Sequence, residues 1–288
     1  MVRDDFVCFI LSHGRPTNVI TLKTLQRCGY TGKVIIVIDN EDATADEYYR
    51  LYGRDNVYMF DKLKKSKEFD TGDTFDNRKA IVYARNACFD IARELGYKYF
   101  LELDDDYTTF MHRWVDKKEF KSCETRNMDD VINAFVRFME NTKVKTIAFA
   151  QGGDFIGGAE NNKRFQEGLL RKAMNSFFCS VENPFTFVGR VNEDVNTYVT
   201  LGQRGELLFT FTRFMLTQKQ TQSNAGGMTD LYLDSGTYVK SFYTVMYAPS
   251  CAKIANMGDK HQRVHHRILW GACCPKIINE RWRKCRSV

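Results

Sequence analysis

Tyr97-Lys98-Tyr99-Phe100-Leu101-Glu102-Leu103-Asp104-Asp105-Asp106 is the stretch on which the reading of this chain turns. Tyr97, Tyr99, Leu101 and Leu103 fall on one face of an extended strand by its two-residue period. The strand then stops in three consecutive carboxylates. Two such charges ~4 Å apart repel by about 1 kcal/mol in water and about 4 kcal/mol at an effective dielectric of 20. A strand ending this way needs full solvation or a cation. The same period returns Asp104 and Asp106 to one side, where both could face a divalent metal with Asp105 turned away. A solvated acidic turn after an edge strand is the plainer alternative, and the rest of the chain has to choose between them.

Upstream, Phe6 to Leu11 reads as a buried strand ending at Ser12-His13-Gly14-Arg15-Pro16. Thr17 or Asn18 can cap a helix to about Cys28, with Val19, Ile20, Leu22 and Leu25 inward. Val34 to Ile38 is a second apolar strand, closed by Asp39-Asn40, and a helix around Ala45 to Tyr52 leads to a short strand at Val57 to Phe60. Strand alternating with helix predicts a parallel sheet whose ligands sit beyond the carboxyl ends of its strands. Ser12 and His13, Asp39, and Asp104 to Asp106 all fall at such ends. Lys62 to Phe75 reads as a polar, mobile loop, and Asp76 to Leu95 as a long helix ended by Gly96. Its inner stripe is predicted at Ile81, Ala84, Cys88, Ile91, Ala92 and Leu95.

Downstream, His112 to Lys121 is irregular, aromatic and basic; Met128 to Glu140 is an amphipathic helix and Thr146 to Ala150 a strand. Gln151-Gly152-Gly153-Asp154-Phe155-Ile156-Gly157-Gly158 is not a dinucleotide fingerprint. It reads as backbone kept small for close approach of a ligand, or as a flexible surface turn. Ser176 to Val181 and Leu207 to Leu216 are strand-like, and Gln218 to Gly227 is a polar loop before a helix at Thr229 to Tyr247. Asn192 looks like the cap of a helix with Glu193 and Asp194 in its first turn, where acids are ordinary dipole partners. Three of the five histidines, His261, His265 and His266, cluster with Arg263 and Arg267, which points to a metal or phosphate role.

Composition bounds the class. At 288 residues, 43% hydrophobic and 14% aromatic, the chain can fill a sizeable core as one large domain or two small ones. Its longest apolar runs fall far short of the ~18 residues of a membrane span, and its start reads as no signal peptide. The nine cysteines lack metal-ligand spacing, so reduced thiols and a cytoplasmic location are expected. A net charge of +6 is concentrated at Lys62 to Lys67 and at Arg281, Arg283, Lys284 and Arg286, which suits a polyanion or simply a solvated surface.

The ordered motifs resemble those of GT-A fold nucleotide-sugar glycosyltransferases. Ile10-Leu11-Ser12-His13-Gly14-Arg15-Pro16 resembles the first-strand loop, with His13 in place of the usual tyrosine, and Val37-Ile38-Asp39-Asn40 the second-strand aspartate. Ala84-Arg85-Asn86-Ala87 resembles the arginine-bearing helix, Leu103-Asp104-Asp105-Asp106 the DxD motif, and Asn192-Glu193-Asp194-Val195 the later Glu-Asp motif. The glycine run at 151–158, Tyr232 to Ser241 and His265-His266-Arg267-Ile268 narrow the resemblance to the TET-associated glycosyltransferases of phages. Those enzymes decorate 5-hydroxymethylpyrimidines in DNA with a sugar from a UDP donor.

The resemblance implies one α/β domain over 1–288: a mostly parallel central sheet flanked by helices, with a nucleotide-binding half at 1–106 and an acceptor-binding half at 107–288. It implies a UDP-sugar donor, Mn²⁺ or Mg²⁺, no membrane, and an acceptor such as 5-hydroxymethylcytosine or hydroxymethyluracil in DNA. For a phage protein the location would be the host cytoplasm. Asp106 would hold the metal, Asp104 the metal or the ribose, and Asp105 would support them, with His265 or His266 completing the ligands. Ser12, His13, Arg15, Asp39 and Arg85 would meet the nucleotide, while Gly152, Gly153 and Asp154 would face the sugar or acceptor. Asp194 or Glu193 would be the base, giving inversion at the anomeric carbon. Lys62 to Lys67, His112 to Lys121 and the basic tail would touch DNA phosphates. The alternatives are transfer to polysaccharide or protein, a nucleotidyltransferase, and a non-catalytic DNA-binding module.

Overall fold

The computed structural model describes residues 1–73, 78–142, 144–156, 158–218, 229–257 and 263–273. Its first part alternates as β1 (Phe6–Leu11), α1 (Ile20–Arg27), β2 (Lys33–Asp39), α2 (Ala45–Tyr52), β3 (Val57–Phe60), α3 (Lys62–Ser66), α4 (Val82–Glu94) and β4 (Tyr99–Asp104). The order β3-β2-β1-β4 is parallel throughout. Phe6, Cys8 and Ile10 of β1 pack in one core with Leu25 of α1 and Tyr48 of α2. Val7, Phe9 and Leu11, on the other face, pack in a second core with Val82, Cys88 and Ile91 of α4. Burial on both faces is why β1 and β2 are apolar without alternation.

The second part extends the same sheet with β5 (Tyr107–Asp116), β6 (Glu119–Glu124), α5 (Met128–Thr142), β7 (Thr146–Ala150), α6 (Gly158–Asn161), α7 (Lys163–Glu167), β8 (Leu169–Leu170), β9 (Phe177–Ser180), α8 (Glu193–Gln203) and β10 (Leu208–Gln218). Then come α9 (Thr229–Tyr247), β11 (Ala252–Met257), β12 (Arg263–Ile268) and α10 (Trp270–Cys273). The sheet continues from β4 through β9, β7, β10, β5 and β6, while β11 and β12 form a separate ribbon. Seven of the ten strands run one way, and β5, β8 and β9 run the other, so the sheet is mostly parallel. α5 joins the core of α1 and α2, and α8 joins that of α4. The result is a three-layer α/β domain. Its topology brings the carboxyl ends of β1, β2, β4, β7 and β10 to one rim, and the antiparallel β9 begins there.

Several elements differ from the sequence expectation. Residues 62–66, predicted as loop, form α3, whose N-cap is the Asp61 side chain accepting from Lys64 N at 2.8 Å. Lys62 and Lys65 are buried there. Lys62 pairs with Asp39 and Lys65 with Glu68 and Asp90, so neither faces outward to DNA. Residues 70–73 are also held: Gly189 N and Arg190 N donate to Asp70 O and Thr71 O, and Asp73 pairs with Arg190 and bonds Tyr243. Within the predicted helix 76–95 the described helical residues begin at Val82, and Leu95 is exposed. His112 to Lys121 belongs to the β5–β6 hairpin, whose tip places Lys117 and Lys118 at φ +45° and +71°. His261, the loop 219–228 and the basic tail lie outside the described residues. Among the described residues no helix is long and apolar enough to cross a membrane.

Candidate active site

At the end of β1, Ser12 Oγ donates to Asp105 Oδ2 at 2.6 Å and lies 2.7 Å from Tyr48 OH. Arg15 N donates to the same tyrosine oxygen at 3.0 Å, and the Arg15 guanidinium pairs with Asp105 Oδ1 at 3.1 Å. At the end of β2, Asp39 Oδ2 meets His13 Nδ1 at 2.8 Å and Lys62 Nζ at 3.2 Å. Burial alone would raise the Asp39 carboxyl; the His13 hydrogen bond and the Lys62 charge outweigh it and hold it below its ordinary value. The His13 ring remains 46% exposed, leaving a face for stacking. Tyr48, Asp42 and Lys62 join this end without having been singled out for it. Asp42 carried a readable signal: its carboxylate takes Thr44 N at 2.8 Å in an Asx turn and Gly14 N at 2.7 Å.

The acids after β4 divide by partner. Asp105 is buried, turned away to Arg15 and Ser12, and burial lifts its carboxyl to about 6 against those partners. Burial, then Asp104 and Asp105, push Asp106 up to about 6 as well. Asp104 Oδ1 pairs with Arg85 at 3.1 Å. Arg85 itself is 1% exposed and does not reach the cavity described below. Its guanidinium lies between Asp104, Glu193 (3.1 Å) and Glu102 (3.7 Å), with Phe177 4.8 Å from it. Its guanidinium is thus engaged by acids from β4 and α8.

Glu193 and Asp194 open α8, as expected, but Asn192 makes no side-chain cap. It adopts φ +56°, and its Nδ2 donates to Lys240 O at 2.7 Å while standing 3.3 Å from His266 Nδ1. The residue thus ties the start of α8 to α9 and β12. Burial and the adjoining Asp194 push the Glu193 carboxyl up to about 7 against Arg85. Burial raises Asp194 too, opposed by Lys240. His265 and His266 stack with ring centroids 4.3 Å apart. Burial and the neighbouring His265 and Lys240 push His266 down to about 3, so its ring is neutral.

After β7, Gly152 and Gly153 are exposed in a short turn (Gly152–Phe155), while Asp154 is buried. Asp154 accepts from Gln151 N at 3.0 Å and pairs with Lys172.

One cavity of about 2010 Å³ opens at the rim. Ser12, His13, Arg15 and Asp39 line one part, and Asp104, Asp105 and Asp106 another. Gly153, Asp194, His265 and His266 also face it, whereas Arg85, Glu193, Gly152 and Asp154 are not in its wall. Asp104 and Asp106 suit a hard divalent cation by donor type. Both carboxylates face the cavity, and among the described residues no cation pairs with Asp106. Among the described residues no three histidine, cysteine or acidic side chains are grouped to hold a metal.

A parallel part of the sheet ending in aspartates is continued by a mixed part that returns a second acid to the same cavity. Over residues 6–227 the chain matches the TET-Associated Glycosyltransferase family, and it belongs to that family. Among solved structures it is similar to S. aureus TarS 1-349, at 9% identity and TM-score 0.42 over 73% of this chain and 59% of that one. TarS 1-349 in complex with UDP-GlcNAc matches at 10% identity and TM-score 0.43, over 79% and 63%. The chain thus spans less than two thirds of those TarS chains. Glucosyl-3-phosphoglycerate synthase from Mycobacterium tuberculosis, in complex with Mn²⁺, UDP and phosphoglyceric acid, matches at 8% identity and TM-score 0.44, over 91% and 86%. No curated protein sequence matches the chain.

Proposed function

We propose that this protein transfers a sugar from a UDP-sugar to the hydroxyl of a 5-hydroxymethylpyrimidine in DNA, with inversion at the anomeric carbon. The observation that carries the reading is the shared cavity: in a chain of this family, Asp104, Asp106 and Asp194 face one space from different elements. The half at 1–106 binds the nucleotide and the half at 107–288 receives the acceptor. His13 stacks on the uracil, while Asp39, Ser12 and Arg15 shape the nucleotide end. Asp104 and Asp106 would hold Mn²⁺ or Mg²⁺, with His265 or His266, which face the same cavity, as the further ligand. When bound there, the ion would supply positive charge to the leaving diphosphate.

Asp194 accepts the proton of the acceptor hydroxyl, a contribution of roughly 10²–10⁴ in rate. The hydroxyl oxygen forms the new bond to the anomeric carbon, the bond from that carbon to the diphosphate oxygen breaks, and UDP departs. Asp194 is favoured over Glu193 because Asp194 faces the cavity and Glu193 is turned to Arg85.

The test is to incubate hydroxymethylated and unmodified DNA with a panel of UDP-sugars and Mn²⁺, digest the DNA and weigh the nucleosides. A hexose-sized gain on the hydroxymethylated nucleoside alone, lost in Asp194→Asn, is expected. Transfer to glycan or protein instead of DNA, or release of pyrophosphate, would overturn the reading.

A further inference from the structure

The cavity is larger than one substrate requires. Pockets for a single small molecule run to about 300–1,000 Å³, and this one measures about 2010 Å³. The nucleotide end accounts for one part of its wall. Another part is aromatic: Tyr198 and Trp270 both face the cavity, their rings stacked with centroids 5.7 Å apart and planes 13° from parallel. Trp270 is 37% exposed. Tyr198 stands four residues after Asp194 on α8, so both lie on one helix face, with Cβ atoms about 5–6 Å apart.

An indole backed by a second ring and open to a charged cavity is a fixed flat surface at little entropic cost. Arg171 and Arg267 line the same cavity. Aromatic faces with nearby guanidinium groups are the chemistry that receives an unstacked base and its flanking phosphates. A saccharide acceptor has no such planar ring.

We infer that Trp270, held by Tyr198, is the platform on which the acceptor pyrimidine stacks after leaving the DNA helix, one helical turn from Asp194. Trp270 is an acceptor-binding residue and Tyr198 its positioning residue. This rests on the DNA acceptor proposed above, and it assigns Trp270 no part in donor binding.

The test compares wild type, Trp270→Ala and Trp270→Phe in transfer to a hydroxymethylated oligonucleotide, alongside the Kd for UDP with Mn²⁺ and the thermal midpoint. Trp270→Ala is expected to raise KM for DNA roughly 5- to 150-fold, the range of base–aromatic stacking, with the UDP Kd within about twofold of wild type. Trp270→Phe, which keeps a ring, should recover most of the loss. That recovery separates stacking from a folding defect, which would lower the thermal midpoint and weaken UDP binding together. An unchanged KM in Trp270→Ala overturns the inference while leaving the DNA acceptor standing. Weaker UDP binding in both variants at an unchanged midpoint would assign the platform to the donor base and overturn it as well. If wild type transfers to no DNA but does use a glycan, the acceptor reading fails and the platform assignment falls with it.

Discussion

The guanidinium of Arg85 is fully enclosed with three carboxylates, Glu102, Asp104 and Glu193, and one positive charge cannot balance three negative ones in a dry interior. Glu102 resolves the imbalance: neither of its buried oxygens has a hydrogen-bond partner, and burial, against the pull of Arg85, raises its carboxyl well above the ordinary range. It stays neutral, and Arg85 serves Asp104 and Glu193. The proton economy of the site then falls on Glu193 and Asp194, both raised by burial. A raised folded-state value means the folded protein binds protons more tightly than the unfolded chain. The stabilising contribution of Glu193 is thus complete below its ordinary value and is lost as pH rises through about 7, and that of Asp194 is lost as pH rises above its own ordinary value. The proposed mechanism has the opposite demand, because Asp194 must be unprotonated to accept the hydroxyl proton. Because burial raises the Asp194 carboxyl, the acid limb of kcat/KM against pH is expected above the ordinary carboxylate range. In Lys240→Gln, loss of the positive charge that opposes burial at Asp194 makes Asp194 harder to ionise, so the limb should move to higher pH. A limb that stays in place would show that Asp194 does not govern the step.

At the scale of elements, α8 has to be delivered with its first turn against α9 and β12, and the segment before it accomplishes this. Gly189 sits at φ +84°, and a Cβ there would come within 2.4 Å of Asn196 Nδ2 and 2.8 Å of the Tyr247 ring. Asn196 Nδ2 is also what donates to Val188 O and Val191 O, so the clash would push on the turn that aims Asp194. Gly189→Ala is therefore expected to cost more than the ~1 kcal/mol or so of an average substitution, read as a lower urea midpoint, together with a fall in transfer rate. Full activity at unchanged stability would show that this turn does not set the acid. Nothing in the sequence around Gly189 announced it, whereas β1, β3, α2 and β7 could be read directly from their apolar runs and bounding polar residues. The β5–β6 hairpin was hidden because its turn is Lys117-Lys118, two residues without the glycine or asparagine that positive φ favours. α3 was hidden because Lys62 and Lys65 bury their apolar stems and pair their charges with Asp39, Glu68 and Asp90, which composition records only as charge. The same limit applies to Arg85: its type and place on a helix were legible, but its burial was not.

For the whole molecule, the sheet does not stop where its all-parallel part does. β4, the last strand of 1–106, pairs with β9 over Tyr99↔Ser180 to Glu102↔Phe177. Phe6 of β1 lies 6.1 Å from Phe178, which in turn lies 4.8 Å from Phe135 of α5. One face of β1 is thus covered by a helix from beyond residue 107, and Arg85 is tied to Glu193 across the same division. Asp104 and Asp194 share a cavity only while that continuity holds. The two halves are consequently expected to unfold as one cooperative unit, with far-ultraviolet circular dichroism and tyrosine–tryptophan fluorescence giving coincident urea transitions. Phe178→Ala, placed at the junction, should lower that single midpoint by an amount equivalent to about 3–5 kcal/mol without splitting it. Activity should disappear in the same transition. Two separated transitions, with the fluorescence change preceding the loss of circular dichroism, would mean that residues 1–106 stand alone and that Asp194 is held to them by substrate rather than by the fold.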